Sequence, residues 1–174
     1  MLRYQIRSGI QTSTEKLCLV LISGSNIQMD ILAFLKNEGC DFRDRRLEDV
    51  WSFEDREIEA THDFIQLVFP LEEPSSSSFH GVYLDSSDVL EIRRSEVAVT
   101  NIKRSAFWFL GFLSRSQSWR SGYDHNQLRI TRAIRCLRLL VGEKEADAFR
   151  DQVFELVGVE GGLSEKTIKF WKDA

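Results

Sequence analysis

The side chains able to do chemistry gather in two short stretches of this sequence. The first is Glu59-x-x-His62-Asp63, with Gln66 four residues beyond the histidine. The second is His125-Asn126, followed by Arg129, Arg132, Arg135 and Arg138 at three-residue intervals. His62 admits three roles: a core histidine bonded to a carbonyl or carboxylate, a ligand-contacting group, or a general base. The core reading is preferred, because His62 falls at helical spacing with Ile58, Ile65 and Phe69 and no nucleophile stands beside it. Gln66 reads the same way, since a buried amide must find partners.

The arginines are the strongest candidates for function. A three-residue interval drifts by about 60° per step on an α-helix, so the four form a slanting band. Arg129 and Arg132 are the pair that points together near the helix start. His125 and Asn126 stand at that start, where unpaired backbone N–H groups also attract anions. The candidate ligand-binding set is therefore His62, Gln66, His125, Asn126, Arg129 and Arg132, suited to a phosphate or a carboxylate. The competing reading is structural: Arg129 and Arg132 pair with Glu59 and Asp63 and fasten the two stretches together.

Other chemistries lack their patterns. The histidines His62, His80 and His125 lie far apart with no metal-binding spacing, so no metal is expected. No Gly-x-Ser-x-Gly elbow occurs, and Gly158–Gly162 lacks the Lys-Ser/Thr of a phosphate loop. No catalytic residue and no cofactor are expected, and the chain reads as a non-enzyme. The rival enzyme reading would use His62, His125 and Arg129. Cys18, Cys40 and Cys136 make no Cys-x-x-Cys pair and read as free thiols in a reducing compartment.

The two stretches, extended, carry a family pattern. Asp44-Arg45-Arg46-Leu47-Glu48-Asp49-Val50-Trp51 precedes Ile58-Glu59-x-x-His62-Asp63-Phe64-Ile65-Gln66-Leu67-Val68-Phe69-Pro70-Leu71. His125-Asn126-Gln127-Leu128-Arg129-Ile130-Thr131-Arg132 then continues to Leu140. In this order they resemble the conserved region of the opioid growth factor receptor family, over roughly 27–157. Leu67 stands where the family has tryptophan, a serine run replaces its small-residue segment, and the long repeat-bearing tail of vertebrate members is lacking. The resemblance implies a soluble α-helical domain and peptide-receptor activity of the enkephalin type. It also implies a nuclear and membrane association in vertebrate members, which are unlike seven-helix opioid receptors.

These residues need helices to position them. The chain has 174 residues, 43% hydrophobic and 29% charged, which suits one globular domain. Ten glycines and two prolines are too few for a turn-rich β domain. An all-α irregular bundle of six to eight helices is expected. Residues 1–26 read as an arm that need not belong to the domain, 27–157 as the helical domain, and 158–174 as a short C-terminal helix. Helices are predicted from Asn26 to Gly39, over Glu54–Phe69, 95–113 and 126–141, and over Glu143–Val157. In 95–113, Phe107, Trp108, Leu110 and Phe112 are read as widening the buried face. The run Leu17–Ile22 is too short to span a bilayer and no secretory pattern opens the chain, so an intracellular, soluble protein is expected.

Charge is uneven along the chain. The net charge is -4, yet residues 103–138 hold eight basic groups against Asp124, whereas 44–96 hold fourteen acids against five arginines. The basic segment (Lys103, Arg104, Arg115, Arg120 and the arginine band) supports an alternative reading as an anion- or nucleic-acid-associated domain. Internal pairing of the two segments is the simpler expectation, which makes nucleic acid a poor partner.

Overall fold

The computed structural model describes residues 22–23, 26–27, 29–73, 82–158 and 161–174. The fold is all-α, as expected. Among the described residues it has nine α-helices and one short antiparallel pair, β1 (Ile22–Ser23) with β2 (Asn26–Ile27). Most of the predicted strand Leu17–Ile22, together with Cys18 and His80, lies outside the described residues.

One long helix and its neighbours build the core. Helix α6 (Glu96–Arg115) has twenty residues, roughly 30 Å of axis. Ser95 caps it by accepting from the Ala98 N–H. Its buried side is Ala98, Ile102, Ala106, Phe109, Phe112 and Leu113. Phe107 is a correction: it is 77% exposed, because at 100° per residue it lies opposite that side. Helix α5 (Ser86–Arg94) packs against α6, as do α7 (His125–Leu140) and α8 (Glu143–Val157). Gly142, at φ 147°, makes the sharp turn between α7 and α8. Helix α9 (Glu165–Asp173) returns onto α7 and buries Trp171 completely.

The described part of the first half of the chain is made of short pieces. Helix α1 (Ile31–Leu35) begins five residues after Asn26, because Asp30 rather than Asn26 accepts the first-turn N–H, from Ala33. Helix α2 spans Leu47–Trp51. The predicted single helix over 54–69 is instead two, α3 (Asp55–Ala60) and α4 (Ile65–Val68). Thr61 takes an extended conformation between them, at φ -100° and ψ 125°. Cys40 is disulfide-bonded, which corrects the expectation of a free thiol there; Cys136 is free and fully buried. Apolar surroundings push the Cys136 thiol well above its usual value. No helix among the described residues is long and apolar enough to cross a membrane.

Candidate functional site

The break between α3 and α4 is made by an arginine from α7. A helix end leaves carbonyls without partners, and here the Arg129 guanidinium supplies them. It donates to the Ile58 carbonyl at 2.9 Å and to the Thr61 carbonyl at 2.7 Å. It also donates to Asn126 Oδ1 at 3.0 Å and reaches His62 Nδ1 at 3.1 Å. Its carbon lies 5.5 Å from the centre of the Phe64 ring, which is itself edge-on to Phe53 and Trp108. Arg129 is only 5% exposed, and burial pulls its guanidinium below the usual arginine value.

Helix α7 is placed to deliver this group. Asp124 Oδ1 accepts from the Asn126 N–H at 2.7 Å and caps the helix. Asn126 is fully buried and donates through Nδ2 to Glu59 Oε2 at 3.0 Å. Glu59 thus fastens the two stretches, through Asn126 rather than through an arginine. Arg132 goes elsewhere than expected. Its Nε donates to the Phe69 carbonyl at 2.7 Å, at the end of α4, and neither Glu59 nor Asp63 receives it. Its Nη2 is buried without a hydrogen-bond partner. Asp63 pairs instead with Arg45 at 3.0 Å and with Arg43, side chains of the loop before α2. The buried Asp41 holds that Arg45 through Nε at 2.7 Å. The expected pairing fails because the break at Thr61 turns Asp63 away from α7 and leaves main-chain carbonyls facing it.

His62 is a second correction. It is exposed, not a core histidine, because the break takes it off the stripe that Ile58 begins. A guanidinium can only donate, so Nδ1 of His62 accepts and its proton sits on Nε2. The His62 ring meets the His125 ring edge-on at 5.3 Å. His125 Nε2 is shielded from solvent with no hydrogen-bond partner; Glu59 Oε2 lies 3.9 Å away. Its Nδ1 lies 3.8 Å from Asp124 Oδ1. Burial, then the neighbouring Arg129 charge, lowers the His125 imidazole below its ordinary value, against the pull of Glu59 and Asp124. The fold therefore gathers Glu59, His62, His125, Asn126 and Arg129 at one place. Gln66 is buried in α4 and Arg132 works at the far end of that helix.

Gln127 was missed by sequence reasoning. It donates to the Trp119 and Gly122 carbonyls, both at 3.0 Å, and accepts from Thr167 at 3.1 Å. Its own carbonyl accepts from Trp171 at 3.1 Å, so it ties α9 to the start of α7. The available signal was its helical spacing with Ile130, Ile134 and Leu137, an apolar line on which an amide needs partners.

The other basic groups of 103–138 have partners too, Arg120 donating to the Ser114 carbonyl at 3.2 Å. Arg135 holds Glu73, Arg138 holds Glu143 and Asp147, Lys103 holds Glu145, and Arg115 holds Asp55. Arg104 lies over the Trp51 ring at 3.9 Å. No protein-family model, curated protein or solved structure matches the chain.

Proposed function

We propose that this protein is a non-enzymatic helical binding module for a peptide or protein, contacted at the surface around His62 and His125. The observation that carries the reading is the occupancy of the arginine band. Arg129, Arg132, Arg135 and Arg138 all hold partners inside the chain, so the band serves as framework and not as a row of free cations. That weighs against nucleic acid, which needs several uncommitted cations on phosphates. It also weighs against an enzyme that would use Arg129, whose donors already meet two carbonyls, Asn126 and His62.

What remains open is the rim. His62 is exposed, and near His125 stand Tyr123, 84% exposed, and Leu128, 58% exposed. Leu128 is three residues after His125 and shares its helix face. Aromatic, apolar and imidazole groups together are the composition of a polypeptide contact. The resemblance to the opioid growth factor receptor family directs the choice of ligand to peptides.

The test is fluorescence anisotropy with a fluorescein-labelled enkephalin-type pentapeptide, alongside labelled duplex DNA and single-stranded RNA over a salt series. Saturable peptide binding, weakened by Tyr123→Ala and Leu128→Ala, is expected. Nucleic acid should bind weakly, with a shallow salt slope. Tight duplex binding at physiological salt with a steep slope would overturn the proposal in favour of the basic-segment reading.

A further inference from the structure

We propose that Glu59, Asp124 and His125 form a site for a divalent transition-metal cation of the zinc type, where sequence spacing alone suggests none. Each residue offers one ligand atom, and the three atoms lie within 4.8 Å of one another. The three come from the end of α3 and the start of α7, so the site exists only when the two stretches are packed together.

The free valences fit. Asp124 Oδ1 is engaged in capping α7, which leaves Oδ2. Glu59 Oε2 receives Asn126 on one lone pair, which leaves its other lone pair facing His125. His125 Nε2 is buried and unbonded, and faces Glu59 at 3.9 Å, too far for a hydrogen bond. Two ligands at about 2.0–2.1 Å from one tetrahedral ion stand roughly 3.3 Å apart, so side-chain adjustment from separations of up to 4.8 Å would close the set. His62 is not a ligand: Arg129 occupies its Nδ1, and Nε2 carries the proton. One nitrogen and two carboxylates suit zinc better than magnesium or calcium, which prefer oxygen throughout. Two carboxylates balance the ion's charge, with the Arg129 guanidinium held behind them by carbonyls. Glu59 and His125 are 40% and 38% exposed, so water completes the coordination.

This inference stands apart from the peptide reading, since the cation can bind whether or not a peptide does. The experiment is calorimetric titration of chelator-treated full-length chain with zinc chloride. About one equivalent should bind, and His125→Ala, Glu59→Gln and Asp124→Asn should each weaken it by at least about tenfold. His62→Ala should leave the affinity within about twofold. Asp124→Asn keeps a good capping side chain and Glu59→Gln keeps the acceptor for Asn126, so both variants preserve the packing. Imidazole nitrogen resonances of the unmodified chain give a second readout: zinc should shift His125 Nε2 and leave the His62 tautomer in place. Absence of saturable binding, binding indifferent to the three substitutions, or a shift confined to His62 would each overturn the site.

Discussion

The two halves of α7 carry the same side chain at the same interval and put it to different use. In the first half, Arg129 and Arg132 turn to main-chain carbonyls at the ends of α3 and α4. In the second half, Arg135 and Arg138 reach carboxylates at the surface, Glu73 and Glu143, which are 66% and 73% exposed. The difference lies in what the acceptor does without its arginine. A surface carboxylate returns to water at little cost. A buried helix-end carbonyl has no water to return to, and its desolvation goes uncompensated. The spacing is uniform; the worth of each arginine is set by the neighbour that the fold puts in front of it.

The sharpest way to break this comparison is at Arg129. Arg129→Leu keeps the apolar stem but strands the Ile58 and Thr61 carbonyls and frees Asn126 Oδ1, at an expected loss of about 4 kcal/mol. Arg129→Lys supplies a point charge in place of a fork, so it should recover only part of that loss. Chemical denaturation midpoints with an unchanged slope check both. A loss no greater than that of a surface arginine variant would remove the distinction between the two halves.

The same residue marks the limit of what the sequence discloses. The helices 126–141 and 143–157 are read almost to the residue, because long amphipathic runs with clear stops announce themselves. The break at Thr61 is not so announced. Local spacing from Ile58 to Phe69 is consistent with one continuous helix, and the group that ends it lies 68 residues away from Thr61. Asn126, His125, His62 and Arg129 are legible as a cluster by residue type. Which partner each takes is not, since carbonyls carry no side-chain signature. Phe107 fails for a related reason: in a crowded aromatic run, hydrophobicity alone does not say which ring faces out.

Arg132 sits between the extremes. It has one carbonyl, that of Phe69, and its Nη2 is buried without a hydrogen-bond partner. Arg132→Ala should cost about 2 kcal/mol, from the stranded carbonyl and the lost packing of its stem. Arg132→Met restores the stem and relieves the unpartnered nitrogen, so it should cost less than alanine. Thermal or denaturant unfolding of the pair reads the difference. If methionine is as damaging as alanine, the Phe69 bond dominates and the orphaned nitrogen costs nothing.

The smallest effects belong to the far half and complete the comparison through salt. Arg138 joins Glu143 at 2.6 Å and Asp147 at 2.7 Å, but Arg150 also holds Asp147 at 2.7 Å, so Asp147 keeps a partner when Arg138 goes and the exposed Glu143 returns to water. Arg138→Ala should cost about 0.5 kcal/mol. Arg135→Ala, at the exposed Glu73, should produce no measurable change in midpoint. The Arg138 effect should vanish in molar salt, because exposed pairs are screened over a few ångströms there. The losses at Arg129 and Arg132 should persist, since their acceptors are uncharged carbonyls shielded from the ions. An Arg129→Leu loss that faded with salt would mean that the guanidinium acts through Glu59 and Asp124, by charge, rather than through the helix ends it closes.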